Sequence, residues 1–242
     1  MDASIRVTEL RASRGAAWIA EAFQLFRRRP VAWIALCAGW IALTFGLILI
    51  PFIGGVVANF LQPVFFASFA IAAYRQSAGE PIAIGDLFGG FRRNVRALVN
   101  LGALLLMAEI AIFALMALLG LPMTGPSDQP FTLAEYIETL RDKEAILATG
   151  FVLTAIIKGA LWFAPPLIAF HDMSTTHAMR WSLYAALTNL GAMLIYGVLL
   201  MAFFLAGMVL WGVGLIVVLP LMVISTYVSY RDVFEARDQT LA

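Results

Sequence analysis

From residue 183 to residue 230 the chain runs for 48 residues without a charged side chain, from "LYAALTNLGAML" to "LPLMVISTYVSY". As one helix this stretch would be about 72 Å long, more than twice a hydrocarbon core of about 30 Å. It has to fold back on itself. Gly207, Gly212 and Gly214 cluster near its middle and mark the turn, which predicts two spans at 183–205 and 209–230. Four more apolar runs of membrane-spanning length cover 31–50, 56–74, 97–119 and 145–169. The chain is 62% hydrophobic and only 13% charged, whereas soluble domains are nearer half apolar and a quarter charged. The fold expected is all-α, a polytopic membrane helical bundle of six transmembrane helices forming a single integral membrane domain over 1–242.

The first apolar run is expected to stay as a span. Some thirty polar or amphipathic residues precede it, far more than a signal peptide's charged leader, and no small-residue cleavage site follows. Lysine and arginine placement then sets the orientation. With both termini inside, Arg6, Arg11, Arg14, Arg27, Arg28, Arg29, Arg75, Arg92, Arg93, Arg96, Arg180, Arg231 and Arg237 fall on the cytoplasmic side, thirteen of the sixteen basic residues. Only Arg141 and Lys143 fall outside, and Lys158 lies within a span.

Two segments outside the spans read as amphipathic helices. In "GAAWIAEAFQLFRRR", Trp18, Ile19, Ala22, Phe23 and Phe26 share one face, as expected for a helix in the cytoplasmic interface that turns into the first span at Pro30. In the external loop 120–144, Thr132 and Glu135 form a capping-box pattern ahead of Leu133, Tyr136, Ile137 and Leu140, which predicts a short helix there. A loose threefold plan of interfacial helix plus helical hairpin is visible. "AFQLFRRRPVAW" and "DLFGGFRRNVRAL" both place phenylalanines three apart (Phe23 and Phe26; Phe88 and Phe91) before paired arginines. The third copy, "AMRWSLYAALTNLGAML", keeps the amphipathic lead and lacks the arginine pair.

Glu109 and Lys158 are the only ionisable groups deep inside predicted spans. An unpaired charge there costs about 2.5–3.5 kcal/mol on insertion scales. Each lies 13 residues from a polar landmark at the cytoplasmic edge, Arg96 and His171 respectively, so both are about 20 Å deep. Their spans are consecutive and antiparallel, which predicts a buried Glu109–Lys158 ion pair. It is either a structural lock or the site of a proton- or ion-coupled pathway.

Other chemistry finds little support. The lone cysteine, Cys37, excludes a disulfide framework or a cysteine metal site within one chain. His171 and His177 stand six apart, which misses the helical i, i+4 zinc spacing. "GDLFGGFRRN" has no lysine and no preceding strand, so it is not a phosphate-binding P-loop. No catalytic, cofactor-binding or metal-binding residue is expected, and a net charge of +1 gives no pull toward nucleic acid. The stretch 79–94 reads instead as an interfacial elbow. Asp86 caps a short helix, Leu87, Phe88 and Phe91 dip into the interface, and Arg27, Arg28, Arg29, Arg92, Arg93 and Arg96 sit at lipid-phosphate level. The tryptophans Trp18, Trp33, Trp162, Trp181 and Trp211 read as aromatic-belt anchors and Trp40 as packed between helices.

The stretches "RGAAWIAEAFQLFRRRPVAW", "GEPIAIGDLFGGFR", "AMRWSLYAALTNLGAMLIYGVLL" and "PLMVISTYVSYRDVF" resemble a family of uncharacterised six-span inner-membrane proteins of proteobacteria. The likeness runs from about residue 5 to 235. It rests on Arg14, Gly15, Trp18, Phe26, Arg27, Pro30, Gly79, Pro81, Asp86, Leu87, Phe88, Gly90, Phe91, Ala178, Met179, Ser182, Asn189, Pro220, Tyr230, Arg231 and Asp232. One departure is Thr188, where the pattern has a basic residue. More loosely the chain resembles the membrane-anchoring domain of bacterial glycerophosphodiester phosphodiesterases, without a counterpart of their catalytic domain. The resemblance implies fold and location and no activity. The function expected is a non-enzymatic accessory, assembly or scaffold component whose partners are membrane lipids and another integral membrane complex. The alternative is a small-solute or ion transporter working through Glu109 and Lys158.

Overall fold

The computed structural model describes residues 5–122, 138, 140–209 and 212–234. The expected capping box at Thr132 and Glu135, together with Trp211 and Arg237, lies outside them. Among the described residues the architecture is helical throughout: α1 (Arg14–Arg28), α2 (Pro30–Ile48), α3 (Gly54–Ser77), a 3-10 helix (Ile84–Arg92), α4 (Val95–Leu118), α5 (Glu144–Trp162), α6 (Ala164–His171), α7 (Thr175–Thr188), α8 (Leu190–Val209) and α9 (Leu215–Phe234). Six stretches are long and apolar enough to cross a membrane: α2, α3, α4, α5 continued by α6, α8 and α9.

Local chemistry sets the breaks. Pro30 opens α2, where its missing N–H is no loss, and Arg29 before it leaves helical geometry at φ −147°. The Asn94 side chain accepts from Ala97 N at 3.3 Å and caps α4. Pro165 and Pro166 remove two backbone donors and divide the fourth crossing into α5 and α6 at Phe163. The turn between α8 and α9 passes through Gly212 at φ +77°, and Gly214 lies so close to Gly207 that an added Cβ would stand 2.6 Å from the Gly207 Cα. The fifth span, expected from 183, begins instead at Leu190. Residues 183–188 belong to α7, and Asn189 separates the two helices. Apolar composition cannot show that boundary, because the end of α7 is as greasy as the start of α8.

The chain forms three consecutive units, each a short lead helix followed by a helical hairpin. Each lead helix docks on the hairpin before it. The 3-10 helix packs on α3 and α2, and α7 packs on α5 and α6. The first lead helix, α1, packs on α9 and α8, so the last hairpin receives the first helix and the ring closes. The register repeats. Counting back eight residues from the first residue of α2, α4 and α8 gives Ala22, Leu87 and Ser182; counting back five gives Leu25, Gly90 and Ala185. All six are buried.

Packing is uneven along the membrane normal. At the end carrying the lead helices and most arginines, α3, α6 and α9 form the core with Trp18, Trp33, Leu98, Phe163 and Tyr230. At the end carrying the hairpin turns the helices splay, and Phe45, Ile110, Phe151 and Phe204 are exposed.

Candidate functional site

At the docked end, the lead helices meet the hairpins through backbone contact. An added Cβ on Gly15 would lie 2.2 Å from Ala192 O of α8, and one on Gly90 would lie 2.2 Å from Val64 O of α3. Serines bridge two of the docks. Ser68 Oγ accepts from Gly90 N at 2.8 Å and donates to Val64 O at 3.0 Å. Ser182 Oγ of α7 accepts from Phe163 N at 2.9 Å and donates to Gly159 O at 2.8 Å.

Ion pairs repeat in register as well. Tyr74–Arg75 ends the first hairpin and Tyr230–Arg231 ends the third. Arg75 pairs with Asp86 of the 3-10 helix and with Glu80 at 2.7 Å. Arg231 pairs with Glu21 of α1 at 2.7 Å. Glu21 and Asp86 occupy the same register position, nine residues before the following helix. In the remaining unit this pair is replaced: Phe170–His171 stands at the hairpin end and Trp181 at the acid's position. His171 Nε2 bonds Tyr230 Oη at 2.7 Å, and Trp181 Nε1 donates to His177 at 2.8 Å.

The α1 dock carries the densest network. Asp232 accepts from Arg14 Nε at 2.7 Å and from Trp18 Nε1 at 2.8 Å, and Arg14 reaches Glu21 at 2.8 Å. The hydrogen bond that Arg14 donates to Asp232 raises the Arg14 pKa despite the opposing desolvation. Asn189 is buried and binds the segment before α1, accepting from Leu10 N at 2.8 Å and donating to Thr8 O at 3.1 Å. The roles of Arg14 and Asp232 escape sequence reasoning, although both carry the family resemblance. A charged residue at a helix end looks the same whether it meets water or a distant helix.

Several expectations are corrected. Trp18 and Trp33 are not belt anchors. Both are fully buried, and Trp33 Nε1 donates to Gln76 at 2.7 Å. The apolar face of α1 lies on α9 and α8 rather than on lipid, with only Phe23 left exposed. Leu87 is buried in the core, while Phe88 and Phe91 remain exposed at the surface of the elbow. Asp86 does accept from Ala83 N at 2.8 Å, closing the first turn of the 3-10 helix. Arg27, Arg28, Arg29, Arg92, Arg93 and Arg96 are exposed, and no carboxylate among the described residues pairs with them.

Mid-membrane, Lys158 Nζ lies 2.9 Å from Glu109 Oε1. The two side chains meet, but they are not buried in the bundle: they are 52% and 42% exposed. The reason is the splay of the second hairpin, which leaves α5 packed on few neighbours outside α4 and α7. Among the described residues, three cavities converge on Lys158. One of about 470 Å³ lies between α4 and α5 and reaches Glu109, Thr154, Leu121 and Pro122. A second of about 210 Å³ lies toward α3 and α9, beside Gln62 and Thr226. The third, about 820 Å³, separates α5 from α8 and is lined almost wholly by apolar side chains.

A probable inner membrane protein of Burkholderia thailandensis is 29% identical over 207 residues, covering 81% of this chain and 75% of the relative. No protein-family profile matches the chain. No solved structure matches it either. The relative and the six apolar helices agree on a multi-pass protein of the inner membrane.

Proposed function

We propose that the chain is a non-enzymatic accessory or scaffold protein of the inner membrane, with both termini in the cytoplasm and its arginine face against anionic lipid head groups. The observation that carries this reading is the division of charge at the docked end. Arg14, Glu21, Arg75, Asp86, Arg231 and Asp232 are engaged with one another in holding lead helices to hairpins. Arg27, Arg28, Arg29, Arg92, Arg93 and Arg96 point outward without a carboxylate among the described residues. The first set builds the ring, and the second supplies a positive rim at the depth of lipid phosphates, each charge worth about 1 kcal/mol near an anionic surface. The rim also supports the orientation, since basic residues are held on the cytoplasmic side. The looser resemblance to the anchoring domain of glycerophosphodiester phosphodiesterases fits too, because that domain holds a catalytic domain at the membrane.

The rival, a small-solute or ion transporter using Glu109 and Lys158, is favoured by the cavity of about 470 Å³ that reaches the pair. Against it stands the docked end, where the buried side-chain N and O atoms described all have partners. The test is purification in mild detergent with mass spectrometry of bound lipids and proteins, comparing the wild type with Arg92→Glu/Arg93→Glu. The reading expects anionic lipids and a stoichiometric membrane partner on the wild type, and loss of the lipids from the variant. Unchanged anionic-lipid retention in a folded variant, or substrate-driven ion flux in proteoliposomes, overturns it.

A further inference from the structure

We infer that Lys158 anchors the carboxylate of a fatty-acid-class amphiphile whose single chain lies in the cavity between α5 and α8. The site is centred at mid-depth rather than on the arginine rim, and the inference goes beyond the scaffold reading without depending on it.

The argument begins with an exposed ion pair in the wrong solvent. Lys158 stands 14 residues into α5 and 13 residues before the end of α6, so it is about 20 Å from either end of the crossing. Half-exposed charges at that depth are expensive when lipid tails cover them, and they mark functional sites. Something polar has to meet them. An ammonium has three protons to donate. Among the described residues Lys158 gives one, to Glu109 at 2.9 Å.

The cavity beside it fixes the rest of the occupant. It measures about 820 Å³ and is walled by Phe151, Ile156, Leu187, Leu194, Leu200 and Phe204 with their neighbours. This lies within the size range of ligand pockets, about 300–1,000 Å³, and such sites combine apolar walls with a few placed polar groups. Two of its three polar lining groups are already engaged: Trp162 Nε1 with Ser229 at 3.3 Å, and Tyr196 Oη with Ser225 at 2.6 Å. Lys158 is the third. A long apolar slot with one cation at its edge is complementary to a long apolar chain with one anionic end.

Depth decides which anion. A phosphodiester head group stays charged and is held at the membrane surface, whereas a carboxylic acid travels to mid-depth in its neutral form. Ionisation on arrival needs a proton acceptor, and Glu109 is in place. The acid's O–H bond breaks and its proton moves to the Glu109 carboxylate, which becomes a carboxylic acid. The Lys158 ammonium passes from Glu109 to the new carboxylate. One ammonium and one carboxylate stand there before and after, so the site remains neutral.

The test is native mass spectrometry of the full chain in detergent titrated with palmitic acid, hexadecanol or hexadecyl phosphate. The expected result is one palmitate per wild-type chain, at least tenfold weaker retention in Lys158→Met, and retention restored in Lys158→Arg. Leu194→Trp, which fills the slot and leaves the pair in place, should weaken palmitate at least threefold. If Lys158→Met does not fold, Glu109→Gln/Lys158→Met removes both charges together and must lose palmitate equally. Palmitate held as tightly by either charge-removed variant overturns the proposal. So does hexadecanol binding as well as palmitate, which would make the slot a generic apolar surface, or hexadecyl phosphate binding more tightly than palmitate.

Discussion

The two ends of this bundle are built from much the same residues and behave as opposites. At the arginine-rich end, three lead helices wedge against three hairpins and the buried side-chain polar atoms described are satisfied. At the hairpin-turn end, the same helices diverge around cavities and expose Phe45, Ile110 and Phe204. The apolar stretches of α3 and α9 are 56% and 61% buried, while that of the crossing formed by α5 and α6 is 11% buried. Apolar composition therefore says nothing about where a membrane helix is held. Backbone-close glycines between lead helix and hairpin, and the polar cross-links around them, do that at the docked end.

The contrast can be broken most sharply through its glycines. Gly90→Leu drives a side chain into the Val64 backbone, where even a Cβ would sit 2.2 Å from the carbonyl oxygen. The expected outcome is loss of monodisperse protein in size-exclusion chromatography, an overpacking cost above the usual range of about 1–3 kcal/mol. Gly46→Ala, near the turn end of α2 with nothing within 4 Å of an added Cβ, should leave the melting temperature unchanged or raise it, since alanine within a helix gains about 0.5–1 kcal/mol over glycine. Equal sensitivity at the two positions would erase the distinction.

Next in size is Asp232→Asn. It weakens the bonds from Arg14 and Trp18 and leaves a partly buried guanidinium with only the Glu21 carboxylate. A loss of about 2 kcal/mol is expected, read as a lower midpoint in thermal unfolding by circular dichroism. Trp33→Phe removes the donor to the buried Gln76 oxygen and should cost about 1–3 kcal/mol. The same replacement at Trp40, which makes edge contacts to Phe66 and Phe69, should cost less. The smallest effect is expected from rebuilding the missing pair. His171→Arg with Trp181→Glu restores the Arg–acid combination of the other two docks and should change stability by only about 0–1 kcal/mol, the usual worth of a partly exposed pair. A larger gain would mean that the third dock is limited by its lost charges.

Six crossings were legible in the sequence because hydropathy and a 30 Å slab leave few alternatives for the run 183–230. The meeting of Glu109 with Lys158 was legible by counting depth along two antiparallel helices. Their exposure was not, since a side chain suited to lipid and one suited to a protein core are chemically alike. The same ambiguity hid α1: Trp18, Ile19, Ala22 and Phe26 make an apolar stripe that fits a bilayer surface or a groove between helices equally well. What separated the two was Asp232, 214 residues away from Trp18, and no local pattern carries a contact of that range. The boundary at Asn189 was misplaced for a simpler reason: one asparagine in an apolar run suits a helix end and an interhelical hydrogen bond inside a span equally well.

The closure of the ring also sets an order of events. The groove that receives α1 lies on α8 and α9, which leave the ribosome after it. Until they emerge, the stripe of α1 lacks the surface it finally packs against. The amphipathic pattern suits a wait at the membrane surface. Its sequence then serves two solvents in succession, lipid before α8 and α9 are made and protein afterwards. The first lead helix docks only once the third hairpin exists.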